Sequence, residues 1–109
     1  MKTPISDFVK NYAESRAVRL HMPGHKGKEL LCGEQYDITE VSGADVLYSP
    51  EGIILESENN ATKLFKTAHT FYSAEGSSLG IKAMLSIATH GKKPYVLAAR
   101  NVHKAFLYG

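Results

Sequence analysis

Apolar residues recur at Ile5, Phe8, Val9 and Tyr12, behind Pro4 and with Ser6 and Asp7 in the first turn. That three-and-four spacing predicts an amphipathic helix ending near Val18. The period then breaks at His21-Met22-Pro23-Gly24-His25-Lys26-Gly27, where a proline and two glycines predict a loop. From Lys28 to Gly52 no period takes hold, and Gly33, Gly43, Pro50 and Gly52 punctuate the stretch. A non-periodic stretch that long is uncommon in a compact domain unless it lines something or docks on a partner. Helical spacing returns over Glu56–Lys66, with Ala61, Leu64 and Phe65 on one face. His69-Thr70-Phe71-Tyr72 is β-branched and aromatic, which predicts a short strand. Gly76-Ser77-Ser78 opens a further helix, in which Leu79, Ala83, Met84 and Ile87 form an apolar stripe and Gly91 is the stop. Pro94-Tyr95-Val96-Leu97-Ala98-Ala99 is an apolar run of strand length, and Ala105–Tyr108 begins another helix.

Helix, strand, helix, strand, helix start is the order of an α/β layer architecture. The run at 95–99 is apolar on both faces, as in a central strand covered on two sides. One more short strand and two or three helices do not supply that cover. The expected fold is therefore α/β, an incomplete sheet with flanking helices that continues in residues outside this chain.

Composition narrows the classes. The chain has 109 residues, ordinary apolar content and a net charge of +2, enough for one small globular unit or part of a larger one. Its charges are mixed and no basic stripe is interleaved with aromatics, so neither a nucleic-acid nor a membrane partner is expected. No apolar run reaches spanning length and the start lacks the apolar core of a signal peptide, which makes the cytoplasm the expected compartment. Cys32 is the single cysteine, so no internal disulfide forms. Asn60-Ala61-Thr62 matches a glycosylation sequon, read here as coincidence.

The chemistry concentrates at Gly76-Ser77-Ser78. A turn of small residues opening a helix is an anion site, because the first backbone N–H groups lack internal partners and the helix dipole favours negative charge there. Gly76 lets the backbone approach a phosphate, and Ser77 and Ser78 add hydroxyl donors. Two other readings stay open: either serine is simply a helix cap, or Gly76-Ser77-Ser78-Leu79-Gly80 is the G-x-S-x-G elbow of a serine hydrolase with Ser78 as nucleophile. A hydrolase would need an acid and a base further along. Only His90 and His103 follow, and no Asp or Glu lies beyond Glu75.

His103 stands just past the 95–99 run, at the edge where α/β sheets place ligands, and its ring could stack on a flat cofactor or simply sit on the surface. His21 and His25 are four apart but separated by Pro23 and Gly24, so no helix presents both to a metal, and no metal site is expected. Gly24-His25-Lys26-Gly27-Lys28 is not a P-loop, since the spacing is wrong and Glu29 replaces the hydroxyl residue that binds magnesium.

Taken in order, a series of blocks resembles the start of the major domain of Orn/Lys/Arg decarboxylases, fold-type-I pyridoxal-phosphate enzymes. The blocks are His21–Gly27, Asp37-Ile38-Thr39-Glu40-Val41, Gly43-Ala44-Asp45, Pro50-Glu51-Gly52-Ile53, Glu56-Ser57-Glu58, Thr70-Phe71, Gly76-Ser77-Ser78 and Arg100-Asn101-Val102-His103-Lys104. They span nearly the whole chain from about Arg19, and the series is specific where any single block is weak.

The resemblance implies the beginning of a fold-type-I, transferase-like major domain that binds pyridoxal 5'-phosphate and releases carbon dioxide from arginine, lysine or ornithine. It implies that Gly76, Ser77 and Ser78 cradle the cofactor phosphate and that His103 stacks on the pyridine ring. Residues 1–52 become an N-terminal helix and docking segment, and residues 53–109 the first part of the cofactor-binding domain. The loop Pro23–Gly27 is placed near the active-site mouth, at a subunit boundary of a homodimer or larger homo-oligomer. No catalytic residue is assigned within the chain: the Schiff-base lysine, in a Ser-x-His-Lys setting in the family, is expected beyond Gly109, and the fragment alone is expected to be inactive. Two departures stand out. Ala105 replaces the Ser that commonly follows His-Lys, and Glu75 replaces the Asn that often precedes the Gly-Ser/Thr turn, bringing a carboxylate close to the expected phosphate. Beside this reading stand a serine hydrolase fragment using Ser78 and a non-catalytic interaction module.

Overall fold

The computed structural model describes residues 2–91 and 95–108. Among the described residues four α-helices follow one another: α1 (Pro4–Glu14), α2 (Ile53–Phe65), α3 (Gly76–Thr89) and α4 (Lys104–Leu107), with a short 3-10 turn at Glu34–Tyr36. The chain divides into two compact units, Met1–Tyr72 and Ser73–Gly109. Among the described residues no helix is long and apolar enough to cross a membrane.

In the first unit α1 packs on α2 and on the 3-10 turn. Pro4 sits at the start of α1, where its missing N–H costs nothing, and it is buried. Asp7 folds back to accept from the backbone N–H and the hydroxyl of Thr3, at 3.2 and 2.8 Å. The helix stops at Glu14 rather than near Val18, because Arg16 adopts a left-handed φ of 53°. Asn60 on α2 donates to the carbonyl of Lys2 at 3.2 Å, tying the second helix to the start of the first.

The α2 helix starts at Ile53, earlier than its apolar spacing indicates, because a distant residue caps it. Gly52 at the N-cap has no side chain to offer. Asp45, held at a φ of 66°, supplies the missing acceptor. Its Oδ2 takes the N–H groups of Gly52 and Ile54 at 2.8 and 2.9 Å, and its Oδ1 those of Glu51 and Val46 at 3.0 and 2.8 Å. The N–H of Glu51 is the largest cause holding this carboxyl far below the usual carboxylate range.

The expected α/β fold with an incomplete sheet is not what forms: no residue among those described is in a β-strand. The reason at His69–Tyr72 is visible in its hydrogen bonds. The N–H of Thr70 donates to Thr62 Oγ1 at 2.9 Å, and that of Tyr72 to Glu58 Oε1 at 2.8 Å. Side chains of α2 thus take the place of a neighbouring strand for these two donors, which are satisfied without a ladder. Residues 95–99 are also outside regular structure, with Tyr95 and Leu97 fully exposed, and Pro94 lies outside the described residues. An apolar run becomes a strand only where another backbone pairs with it.

In the second unit α3 packs on α4, and Ala105 of α4 is buried at 7% exposure. The α3 helix ends at Thr89, whose hydroxyl donates to the Leu85 carbonyl, and Gly91 is left-handed at a φ of 68°. That accords with the stop expected at Gly91.

Candidate phosphate and cofactor site

The start of α3 carries the residues marked by the sequence. Gly76 is its first residue and takes a φ of 64°, a conformation that side-chain-bearing residues rarely adopt. No heavy atom lies within 4 Å of where a Cβ would stand, so the space over Gly76 is open. Ser77 and Ser78 follow in the first turn, both exposed. Glu75 holds the N-cap position without a capping bond from its side chain, and no acid lies in the first turn. The N–H groups at this end therefore have no side-chain acceptor from the cap residue, and neither serine is the cap. Open space, helix-start N–H groups not taken by the cap side chain, and two hydroxyls fit a phosphate.

His103 is the N-cap of α4, where its Nδ1 accepts the N–H of Ala105 at 3.1 Å. In the neutral ring the proton then sits on Nε2. The imidazole is exposed. Gly76–Ser78 and His103 thus stand at the starts of two helices that pack together in one unit. Among the described residues no histidine hydrogen-bonds to Ser78, so the arrangement a nucleophile elbow requires is not assembled.

The loop Pro23–Gly27 belongs to the first unit and is held by side chains. Arg19 lies over the Tyr12 ring at 4.9 Å and donates to the Gln35 carbonyl at 2.7 Å. Tyr12 also pairs its hydroxyl with His21 Nε2 at 2.8 Å. His25 accepts the Gly27 N–H on Nδ1 at 3.0 Å, which leaves Nε2 to donate to Asp37 at 3.1 Å. Lys26 donates to the carbonyls of Leu20 and His21. Both histidines are engaged in hydrogen bonds that anchor the loop, His21 to Tyr12 and His25 to Gly27 and Asp37, and no cluster of three metal-ligating side chains exists among the described residues. A groove of about 460 Å³ between α1 and α2 is lined by Ile5, Ala61, Leu64 and Phe65 among others, and by none of the expected cofactor-binding residues Gly76, Ser77, Ser78 and His103.

Sequence reasoning missed Arg19, Asp45 as a remote cap, and Glu58. The last left a signal. Ile54, Glu58, Ala61 and Phe65 share one stripe of α2, and Glu58 is the charged residue in it.

The family described as Orn/Lys/Arg decarboxylase, major domain, matches residues 3–108. The chain is 32% identical to arginine decarboxylase of Bacillus subtilis (strain 168) over 116 aligned positions, covering 97% of this chain and 24% of that protein. It is likewise 32% identical to arginine decarboxylase of Halalkalibacterium halodurans, covering 97% of this chain and 23% of that protein. An uncharacterized Bacillus subtilis protein, YaaO, is 29% identical, with 99% and 24% covered. The chain thus spans about a quarter of the length of the curated relatives it matches. No solved structure matches it.

Proposed function

The chain belongs to the Orn/Lys/Arg decarboxylase family, and on that premise we propose that it forms the front of a pyridoxal-phosphate-dependent decarboxylase of a basic amino acid. Relatives described as arginine decarboxylases make arginine the first substrate to test. The observation that carries the cofactor assignment is the start of α3, where Gly76 leaves open space beside two exposed serines.

In this reading the first N–H groups of α3 and the hydroxyls of Ser77 and Ser78 bind the phosphate. His103 would lie against the pyridine ring, its imidazole's tautomer and rotation fixed by its bond to the Ala105 N–H. When bound, the cofactor supplies an electron sink for the electrons left as the substrate carboxylate departs as carbon dioxide. The Schiff-base lysine and the acid at the pyridine nitrogen are assigned to residues outside this chain, since none of its lysines stands in a Ser-x-His-Lys setting. The complete enzyme would act in the cytoplasm as a homodimer or larger homo-oligomer.

The test is an NMR titration of the chain with pyridoxal phosphate and, separately, with inorganic phosphate. Both ligands should shift the amides of Gly76, Ser77 and Ser78, and only the cofactor should move the His103 ring signals. Carbon dioxide release from arginine, lysine and ornithine should be absent. Shifts that avoid Gly76–Ser78, or covalent labelling of Ser78 by a phosphonate, would overturn the assignment.

A further inference from the structure

Glu58 is 1% exposed, the most deeply buried charged side chain among the described residues. Its Oε1 accepts the Tyr72 N–H, but its Oε2 is buried and makes no hydrogen bond. A carboxylate oxygen cut off from water and left without a donor is costly. The group placed to relieve it is His69, whose Nε2 lies 3.5 Å from Oε2. That separation is an ion-pair distance, just longer than a hydrogen bond. The His69 side chain is 38% exposed, so it exchanges protons with solvent while Glu58, at 2%, does not share that access. Its ring also packs on Phe71, with centroids 4.1 Å apart.

We propose that Glu58 and His69 form a protonation-dependent latch that fastens the segment Thr67–Tyr72 to α2. An imidazolium carries a proton on Nε2 and a full charge, and a ring movement of under an ångström brings it to Oε2 as a charge-assisted bond. A neutral ring offers Oε2 either a weaker donor or a lone pair. Glu58 is the titratable group facing His69 from α2. Within the segment the other titratable group is Tyr72, whose hydroxyl is engaged with Ser57 at 2.8 Å, and Lys66 precedes it at the C-cap of α2. The sign follows: the latch is closed while His69 carries its proton and loosens when that proton is lost. Two further bonds, Thr70 N–H to Thr62 and the Tyr72 hydroxyl to Ser57, hold the segment when the latch is open. The open state is therefore a loosened segment and not an unfolded one.

The test is amide hydrogen exchange of Tyr72 in the chain, expressed as protection relative to the intrinsic rate at each pH. Protection should be about fivefold greater at pH 5.5 than at pH 8, the effect of one strengthened hydrogen bond. In H69N the difference should vanish. In E58Q, which keeps an oxygen for the Tyr72 N–H, it should vanish while the amide stays protected. Equal protection at both pH values in the unaltered chain, or an undiminished difference in H69N, overturns the latch.

Discussion

Replacing Gly27 by Ala should be among the most damaging single-methyl changes in the first unit, and its cost should depend on Arg19. Gly27 has a φ of 74°, and a Cβ there would lie 2.6 Å from Arg19 Nη1, 2.7 Å from Cζ and 2.9 Å from Nε. A left-handed conformation costs an alanine about 1 kcal/mol. The clash adds more, because the guanidinium is not free to swing away. It is held by the Gln35 carbonyl at 2.7 Å and by the Tyr12 ring at 4.9 Å. Displacing it forfeits a hydrogen bond from a charged donor, about 1.5 kcal/mol, and a cation–π contact, about 0.5 kcal/mol. Gly27→Ala should thus cost about 3 kcal/mol in the unaltered chain but only about 1 kcal/mol when Arg19 is already Ala. Urea unfolding followed by circular dichroism, run as a double-mutant cycle, reads the coupling of about 2 kcal/mol. An equal cost of Gly27→Ala in both backgrounds would show that the guanidinium does not lie against this glycine.

Asp45→Asn should flatten the acid limb of stability. The Asp45 carboxyl is lowered in the fold from an ordinary value of 3.8, so its contribution is complete above that range and is lost as pH falls below about 4. Urea midpoints between pH 2 and 7 test this, and an identical slope in the variant would count against it. Thr62→Val removes the acceptor of the Thr70 N–H and should destabilise by about 1–2 kcal/mol, with faster exchange of that amide; unchanged exchange would refute the bond. His103→Asn separates two roles, because asparagine is a good N-cap but has no ring to stack. It should keep the Ala105 amide protected while weakening binding of pyridoxal phosphate more than that of inorganic phosphate, and an equal effect on the two ligands would rule out stacking.

Helices were legible in the sequence where apolar residues recur in step, as in Ile5, Phe8, Val9 and Tyr12, and less so at their ends. Asp45 moved the start of α2 to Ile53, and a cap seven residues upstream of Gly52 leaves no periodic trace. That a helix opens at Gly76-Ser77-Ser78 was readable, because a glycine followed by two serines is a common helix start. What the start of α3 adds is the open space above Gly76 and the absence of an acid in the first turn. The strands failed for a different reason. Composition at 69–72 and 95–99 reports a β-capable backbone, whereas a strand also needs a partner that local sequence does not name. At 70 and 72 the partners were a threonine and a glutamate on a helix. The role of His103 as a cap was hidden too, since histidine is not a typical N-cap residue.

The pairing of α2 with Thr70 and Tyr72 also measures length. Glu58 and Thr62 are one step of four apart, a rise of about 6.0 Å along the helix axis. Thr70 and Tyr72 are two apart, about 6.7 Å in an extended chain. The mismatch of roughly 0.7 Å is absorbed once but would double at a second repeat, so a helix can serve as a ruler for only two such donors. The ruler also fixes phase. Adding one residue between Lys66 and Thr70 would present the wrong set of N–H groups to Glu58 and Thr62 and turn every side chain of the segment to its opposite side. The span between the end of α2 and Tyr72 is therefore held to a count of residues, whatever those residues are.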